Sequence, residues 1–464
     1  MYRKKAHLHF IGIGGIGMSG IAKILAYQGY MISGCDQDID KTTITQLKTL
    51  NCAVYSGNNV TQCHDQNIDV VVYSSAIQEN HPELCAAQKR GIPTISRAIM
   101  LAELMRTRFS IAIAGAHGKT TTTSLISHIL LEAQFDPTVI IGGHLKTIST
   151  NARFGNGDFL VAEADESDKS LLHLQATIAV ITNIDLEHLE TYKDLDDIKD
   201  TFIQFLNNLP FYGKAFLCID NEHVRSLLPR PHTKIITYGF SEEAEIQAKN
   251  IKLFPDCTEY AVYSRETSHE LGLITFNMPG IHNIQNSLAA IAIALELEVP
   301  FPTIQHALHN FNGIERRFSF NGIWNGAEIF DDYGHHPIEI QNTALVARHR
   351  AKKKLIMIFQ PHRYSRTHKL WHQFIEIFLK SKLDYLIITD IYPANEPPLA
   401  EITAQNFVQA LIRRNPPFPV VYIPYEAHFG ALCLTLKNVT SPDDLILLQG
   451  AGKINLLSQH LVPK

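Results

Sequence analysis

A glycine-rich loop between an apolar run and a helix-like stretch constrains the fold of this chain more than any other segment. The run 109–114 (FSIAIA) predicts a buried strand, the loop GAHGKTTTT follows at 115–123, and a helical pattern covers 125–131. The backbone amides of such a loop wrap phosphates, its lysine neutralises them, and a threonine hydroxyl reaches Mg²⁺. Ile113 stands where the usual P-loop has its first glycine, so the spacing is the shorter G-x-x-G-K-T. The segment predicts ATP or GTP binding in an α/β fold, with a structural loop as the alternative.

A second glycine motif, G-x-G-x-x-G, lies near the N-terminus. Gly12, Gly14 and Gly17 follow a strand-like run and precede a helix-like run, and Asp36 comes 19 residues after Gly17. Such glycines let backbone amides approach a pyrophosphate at a helix N-terminus, and the later acid can hold a ribose. NAD or another nucleotide diphosphate fits this pattern, and a tight strand–helix turn is the alternative. Two phosphate loops in one chain favour an enzyme that binds one nucleotide-linked substrate and consumes another nucleotide.

Short apolar runs alternate with helix-length amphipathic stretches along nearly the whole chain, which is typical of parallel α/β sheets. At about 150 residues per domain, 464 residues correspond to roughly three domains. We predict boundaries near 107 and 313, which give α/β domains at 1–107, 108–313 and 314–464.

Composition excludes several classes of protein. A formal charge of −5 implies no broad basic surface, so we predict no nucleic-acid partner. No apolar run is long enough to span a membrane, and the histidines and glycines near the N-terminus do not suit a signal peptide. Seven cysteines without a C-x-x-C pair predict free thiols in a reducing cytosol. We therefore expect a soluble, cytoplasmic protein.

Acidic residues follow two strand-like runs downstream of the P-loop. Glu163 ends the first run and begins an acidic cluster that extends to Asp168, and the second run leads into Asp185 and His188. Carboxylates at strand ends beside a P-loop are suited to bind Mg²⁺, and a histidine can complete the set. A solvated acidic loop is the alternative. Farther on, Asn283 lies where an amide could contact adenine or cap a helix.

Two clusters of unusual composition occupy the last third of the chain. They are FDDYGHHP at 330–337 and QPHRYSRT at 360–367, and each follows a strand-like run. Arg363 and Arg366 could clamp a carboxylate between them. Aromatic, histidine and arginine side chains together favour recognition of a small zwitterion, and a charged loop is the alternative for each cluster.

Seven motifs, in the same order along essentially the whole chain, closely resemble those of the Mur ligases. They are GIGGIGMSG at 12–20, GAHGKTTTT at 115–123, EADESD at 163–168, TNIDLEH at 182–188, GIHNIQNSLAA at 280–290, DDYGHHP at 331–337 and QPHRYSRT at 360–367. The resemblance implies a Rossmann-like N-terminal domain for a UDP-linked substrate, a central P-loop ATPase domain with a parallel sheet, and a Rossmann-like C-terminal domain for an amino acid. It implies an ATP-dependent ligase that joins L-alanine to the carboxylate of UDP-N-acetylmuramate through an acyl phosphate, the first peptide step of peptidoglycan synthesis.

The resemblance also implies roles for individual residues. The UDP-linked substrate would contact Gly12, Gly14, Gly15, Gly17 and Asp36. ATP would be bound by Gly115, Ala116, His117, Gly118, Lys119, Thr120, Thr121, Asn283 and Asp332. Mg²⁺ would be held by Thr120, Glu163 and His188, and L-alanine by Tyr333, His335, Arg363 and Arg366. The residues implied in catalysis are Lys119, Glu163, His188, Arg317 and His335.

The chain departs from the family pattern at two positions. Ala116 stands where threonine is more usual, and Lys453 stands where the loop usually carries aspartate. Within the family, a recycling ligase that adds a preformed tripeptide to the same UDP-linked acid is the alternative activity. From other classes, the alternatives are an NAD-dependent oxidoreductase and a nucleotide-gated binding protein. We expect a monomer or a homodimer.

Overall fold

The computed structural model describes residues 6–57, 67–74, 76–145, 150–188 and 191–462. The chain divides into two compact units. The first unit consists of residues 1–251, 260–275 and 283–312, and the second of residues 252–259, 276–282 and 313–464. No helix in the described ranges is long and apolar enough to cross a lipid bilayer.

The N-terminal sheet has the strand order β3-β2-β1-β4-β5, and neighbouring strands pair in parallel. Its strands are β1 (His7–Ile11), β2 (Met31–Asp36), β3 (Ala53–Ser56), β4 (Val70–Tyr73) and β5 (Thr94–Ser96). Its helices are Ile16–Tyr27, Thr42–Thr49, Pro82–Lys89 and Arg97–Met105. In a sheet of this order the strand sequence reverses at β1 and β4, and ligands bind in the crevice beyond the carboxyl ends of those strands.

The central sheet has the order β15-β14-β13-β12-β11-β10-β6-β9-β7-β8. Its strands are β6 (Phe109–Ala114), β7 (Thr138–Leu145), β8 (Thr150–Arg153), β9 (Phe159–Glu163), β10 (Ile178–Ile181), β11 (Lys214–Cys218), β12 (Lys234–Gly239), β13 (Ile246–Leu253), β14 (Thr258–Ser264) and β15 (His269–Phe276). Its helices are Lys119–Glu132, Leu195–Asn207, Glu222–Arg225, Ile281–Glu296 and Phe301–His309, with a 3₁₀ turn at Ser170–His173. Because β6 pairs in parallel with both β10 and β9, the carboxyl ends of those two strands flank the loop that follows β6.

The C-terminal sheet has the order β16-β17-β21-β18-β19-β20, in which only the β16–β17 pair is antiparallel among the described pairings. Its strands are β16 (Ser319–Trp324), β17 (Ala327–Asp332), β18 (Leu355–Phe359), β19 (Tyr385–Ile388), β20 (Val420–Tyr422) and β21 (Leu445–Gln449). Its helices are Pro337–Arg350, Tyr364–Lys369, Trp371–Lys380, Ala404–Ile412, Gly430–Val439 and Leu457–Leu461, with a 3₁₀ turn at Ile454–Leu456.

Apolar side chains of alternate strand residues pack on opposite faces of these sheets. In β18, Leu355, Met357 and Phe359 belong to one buried cluster, whereas Ile356 and Ile358 belong to another. A strand buried on both faces is a continuous apolar run, as the sequence indicated for this segment. In the first unit, one buried cluster contains residues of both the N-terminal and the central sheet.

The structure extends one predicted helix. The apolar pattern over 125–131 predicts only the second half of the helix Lys119–Glu132, since its first turns consist of threonines. Most of these threonines are buried, so packing stabilises helical backbone that their weak helix propensity does not favour. The boundaries near 107 and 313 remain predictions; β5 and β6 lie on either side of the first, and β15 and β16 on either side of the second.

Candidate active site

The loop after β6 is held in place by an asparagine from the neighbouring strand. Gly115 and Gly118 have φ angles of 130° and 82°, which favour glycine at both positions. The backbone N–H of His117 donates to Oδ1 of Asn183 at 2.8 Å, and Nδ2 of Asn183 donates to the carbonyl of His117 at 3.0 Å. The N–H of Ala116 donates to the carbonyl of Asn183 at 3.2 Å. Asn183, which we did not predict as a site residue, therefore positions the loop; its sequence signal was its place in the TNIDLEH motif, just after β10.

Lys119 begins the helix and turns back over this loop. Its Nζ donates to the carbonyl of Gly115 at 2.5 Å and to both carboxylate oxygens of Glu166 at 2.8 Å. Burial lowers the pKa of Lys119, but the charge and hydrogen bond of Glu166 together with the charges of Asp165 and Glu187 outweigh burial, and the net shift is upward. A permanently positive ammonium group thus lies at the loop, where the phosphates of a nucleotide would require it.

Two carboxylates and one imidazole converge beside Lys119. Oxygens of Glu166 and Glu187 and a ring nitrogen of His188 lie within 4.8 Å of one another, and they line a narrow pocket that Ala116 also borders. Nε2 of His188 is 3.5 Å from each carboxylate. Burial lowers the pKa of His188, but Glu166 and Glu187 together raise this pKa by more, so the net shift is upward. This donor set fits a hard divalent cation such as Mg²⁺.

The group around His188 differs from the predicted set. Glu163 ends β9 and accepts a hydrogen bond from the N–H of Gly142 at 2.7 Å. Glu166, three residues farther along the predicted acidic cluster, is the carboxylate that contacts both His188 and Lys119. Thr120 is half-buried in the first turn of the helix Lys119–Glu132. The roles of Thr120 and Glu163 as metal ligands therefore remain predictions.

Asn283 and Asn286 both lie in the first turns of the helix Ile281–Glu296, and both are buried. Oδ1 of Asn286 accepts a hydrogen bond from the hydroxyl of Thr122 at 3.3 Å. A Cβ atom added to Gly118 would lie 2.5 Å from the same Oδ1. Asn286 thus packs against the phosphate loop, whereas the adenine contact of Asn283 remains a prediction.

The N-terminal glycine loop joins β1 to the helix Ile16–Tyr27. Gly12 has a φ of 79°, and Gly15 is the residue that caps this helix. Asp36 accepts a hydrogen bond from the N–H of Gly14 at 2.9 Å, and its other oxygen accepts one from Nζ of Lys41 at 2.7 Å. One oxygen of Asp36 therefore holds the glycine loop and the other pairs with Lys41, so the contact of Asp36 with a ribose stays a prediction.

Arg97 supplies a positive charge beside this loop that we did not predict. A Cβ atom added to Gly17 would lie 3.3 Å from the Cδ atom of Arg97. The guanidinium group of Arg97 is 3.3 Å from the carboxylate of Asp165, and its side chain is mostly buried. An arginine next to the N-terminus of a helix is suited to bind a pyrophosphate.

The second compact unit brings four predicted or motif residues into contact. The rings of Tyr333 and His335 are 5.5 Å apart, and those of His335 and His362 are 5.4 Å apart. Nη1 of Arg366 donates to Nδ1 of His362 at 3.1 Å. Burial lowers the pKa of His335 to about 3 and that of His362 to about 4. Both imidazoles are therefore neutral at pH 7, beside one permanently charged guanidinium group.

Three other predicted residues of this unit contact partners within the fold. Nη1 of Arg317 is 3.7 Å from a carboxylate oxygen of Glu339, and Nε of Arg363 is 3.9 Å from Glu396. The carboxylate of Asp332 accepts hydrogen bonds from the backbone N–H groups of 318 and 334, the hydroxyl of 343 and the side-chain amide of 449. Asp332 thus holds the end of β17 in place, and its contact with the ribose of ATP remains a prediction.

Comparison with known proteins identifies the family. Three models of Mur ligase domains match the chain in order. The "Mur ligase family, catalytic domain" matches residues 7–109, the "Mur ligase middle domain" residues 113–294 and the "Mur ligase, glutamate ligase domain" residues 316–452.

Curated relatives are similar over their whole length. UDP-N-acetylmuramate–L-alanine ligase of Geotalea uraniireducens is 47% identical, and the alignment covers 100% of this chain and 99% of the relative. The enzyme of the same name from Syntrophus aciditrophicus is 44% identical over 100% of this chain and 94% of its own. These matches and the three domains show that the chain belongs to the Mur ligase family, whose members are ATP-dependent ligases.

Solved structures show the same fold. UDP-N-acetylmuramate–alanine ligase of Thermotoga maritima superposes with a TM-score of 0.81 at 24% identity, with 98% of each chain covered. A murein peptide ligase of Psychrobacter arcticus gives a TM-score of 0.72 at 22% identity, with 99% of this chain and 100% of that chain covered. The predicted α/β fold of three domains is confirmed by these similarities.

Proposed function

We propose that this chain joins L-alanine to the carboxylate of UDP-N-acetylmuramate, with ATP cleaved to ADP and phosphate. The full-length relatives bear the name of this activity and confirm the prediction made from the seven motifs. The structural observation that carries the proposal is the phosphate loop, on which Lys119 lies next to Glu166 and His188. The substrate carboxylate attacks the γ-phosphate of ATP to give an acyl phosphate, and ADP leaves. The amine of alanine then attacks the acyl carbon, phosphate leaves, and the amine proton passes to solvent.

The residues around the phosphate loop bind and polarise ATP in this proposal. Lys119 and the loop amides neutralise and orient the phosphates, and little covalent chemistry is required of the protein. Glu166, Glu187 and His188 fit Mg²⁺ by donor type, together with the predicted ligands Thr120 and Glu163. When bound, Mg²⁺ would neutralise the charge that builds up between γ-phosphate and carboxylate.

The Tyr333, His335, His362 and Arg366 cluster binds the amino acid. Arg366 pairs with the alanine carboxylate, since guanidinium groups match carboxylates in geometry and charge. The lowered pKa values of His335 and His362 make these imidazoles poor proton acceptors at pH 7. They therefore line the site as neutral hydrogen-bonding groups.

The N-terminal loop binds the UDP part of the acid substrate. Gly12, Gly14, Gly15 and Gly17 let the backbone approach a pyrophosphate at the start of the helix Ile16–Tyr27. Arg97 adds the positive side chain that this glycine loop itself lacks.

ADP release by the purified protein with Mg²⁺-ATP and UDP-N-acetylmuramate tests the proposal. We expect turnover that depends on L-alanine and that falls at least about 100-fold in Lys119→Ala, because this variant loses the phosphate-neutralising charge. Lys48→Ala, a change at an exposed lysine, is the matched control and should leave turnover intact.

Other amino-acid substrates separate the alternatives. Glycine should be a poor but real substrate, because one methyl group contributes only about 1–3 kcal/mol of discrimination. Turnover with the tripeptide and not with L-alanine would assign the recycling activity. No turnover with any of these substrates would contradict the proposed ligase.

A further inference from the structure

A second group of side chains that could hold a metal ion lies at the N-terminal sheet. The backbone carbonyl of Cys35, one member of this group, accepts hydrogen bonds from the N–H groups of Gly12 and Ile13 in the N-terminal glycine loop. His9 is on β1, Cys35 is on the neighbouring β2, and Glu83 is in the first turn of the helix Pro82–Lys89. His9 pairs in register with Ser33, so that His9, Ser33 and Cys35 point to the same face of the sheet. The proposed ligase reaction gives this group no role.

The three side chains are in mutual contact. The Cys35 thiol donates to a carboxylate oxygen of Glu83 at 2.7 Å, and Nε2 of His9 is 3.6 Å from the same oxygen. One ligand atom from each residue lies within 4.8 Å of the other two. Since metal–ligand bonds of zinc measure about 2.0–2.3 Å, one ion can reach all three atoms after small shifts.

The histidine is already oriented by a second neighbour. Nδ1 of His9 is 2.8 Å from the hydroxyl of Ser33, which also lies 2.8 Å from Nε2 of His7. A metal-binding histidine characteristically uses its other ring nitrogen for such a hydrogen bond, because the bond fixes the tautomer and the ring direction. Nε2 of His9 therefore faces Cys35 and Glu83.

The three side chains are buried, so the net charge of the group affects its stability. His9 and Glu83 are 0% exposed and Cys35 is 1% exposed, and apolar residues of β1, β4 and the helix Pro82–Lys89 surround the thiol. Buried charges are costly, so the charges of a buried metal site should balance. A divalent cation together with one thiolate, one carboxylate and a neutral imidazole has a net charge of zero, which suits an interior position.

We propose that His9, Cys35 and Glu83 form a buried binding site for Zn²⁺. One nitrogen, one sulfur and one oxygen ligand suit a borderline-soft ion, whereas Mg²⁺ prefers oxygen alone. On binding, bonds form from zinc to Nε2, Sγ and a carboxylate oxygen, and the S–H bond of Cys35 breaks with loss of its proton to the buffer. The ion ties two strands to the helix that covers them.

Cobalt(II) titration of the full-length protein, stripped of metal and free of nucleotide, tests this site. Co²⁺ substitutes for Zn²⁺ and gives a near-ultraviolet charge-transfer band only when a thiolate is bound to it. The group of Glu166, Glu187 and His188 contains no sulfur and cannot produce this band. We expect one equivalent of Co²⁺ to give the band and one equivalent of Zn²⁺ to abolish it.

Variants assign the band to these residues. Cys35→Ser should abolish it, and Ser33→Ala should weaken Co²⁺ binding about 10-fold because the ring of His9 loses its orienting partner. Cys52→Ser is the matched control, since Cys52 is another buried thiol of the same unit that belongs to no metal-binding group in the described ranges. A band that is absent in the wild type, or that persists in Cys35→Ser, overturns the proposal.

Thiol labelling of the wild-type protein gives an answer even if Cys35→Ser does not fold. Alkylation of the full chain in mild denaturant, followed by mass spectrometry, measures Cys35 and Cys52 in the same sample. Zn²⁺ should slow labelling of Cys35 at least 10-fold relative to Cys52. Equal rates with and without Zn²⁺ would overturn the site.

Discussion

Arg363 and Arg366 are three residues apart but contact different partners. Arg363 is nearly half exposed beside Glu396, whereas Arg366 donates to the half-buried ring of His362. We expect Arg366→Ala to raise the KM for L-alanine about 10–100-fold with a smaller fall in kcat, because a charge-assisted pair with the carboxylate contributes about 1.5–3 kcal/mol. Steady-state kinetics with varied alanine measures this. Arg413→Ala, at the exposed end of a helix, is the control, and an unchanged KM in Arg366→Ala would remove this residue from the site.

Asp332 is a residue whose predicted role and observed contacts differ. Its two carboxylate oxygens accept four hydrogen bonds from groups of the second compact unit, and the residue is 6% exposed. Asp332→Asn should lower the free energy of unfolding by about 1–3 kcal/mol, because the new amide cannot accept all four bonds. Urea unfolding measures the loss, with the exposed Asp443→Asn as control. A stability equal to wild type, with a raised KM for ATP, would instead support a contact with the ribose alone.

The phosphate loop and its helix act as one element whose backbone tolerates no side chain at Gly118. This residue has a φ of 82°, and an added Cβ would lie 2.5 Å from Oδ1 of Asn286. Gly118→Ala should raise the KM for ATP at least about 10-fold, because the loop must move away from Asn286 to relieve the contact. Gly91→Ala is the matched control, with a φ of 70° and no atom within 4 Å of the new methyl group.

ADP binding by calorimetry, together with the KM for ATP, separates these two variants. Both substitutions strain a left-handed residue by about 1–2 kcal/mol, so a loss of nucleotide affinity in Gly118→Ala alone identifies the clash. Equal affinities in the two variants would show that the contact with Asn286 does not shape the loop.

The strand–loop–helix elements could be predicted from sequence because their signals are local. An apolar run, glycines and a helical pattern specify the phosphate loop within about twenty residues. The partners of this loop could not be predicted, since they depend on which strands flank β6. Asn183 and Glu166 lie just after β10 and β9. A difference of three positions along the chain separates Glu166, which contacts Lys119, from Glu163, which contacts Gly142. The carboxylate of Asp36 illustrates a further limit, because a carboxylate at a strand end can bind a ligand or cap its own loop.

At the scale of the whole molecule, the first unit contains two sheets that share one buried cluster. Polar contacts join them as well. Nζ of Lys23, on the helix Ile16–Tyr27, donates to Oδ1 of Asn151 at 2.7 Å and to the hydroxyl of Thr150 at 3.1 Å. Nδ2 of Asn151 donates to the carbonyl of Ile16 at 2.5 Å. The hairpin of β7 and β8 is thus fastened to the N-terminal helix by a buried lysine.

This lysine makes the stability of the first unit depend on alkaline pH. Burial lowers the pKa of Lys23 from 10.5 to about 8, so the folded protein loses the proton before the unfolded chain does. The unfolded state then binds more protons between pH 8 and 10.5, and the free energy of unfolding rises with pH across this window by up to about 3 kcal/mol. Urea unfolding at pH 7 and pH 10 measures the change, and Lys23→Met should lack this increment while the exposed Lys48→Met keeps it. A rise of the same size in Lys23→Met would mean that other groups cause it and that Lys23 titrates in the folded protein as it does in the unfolded chain.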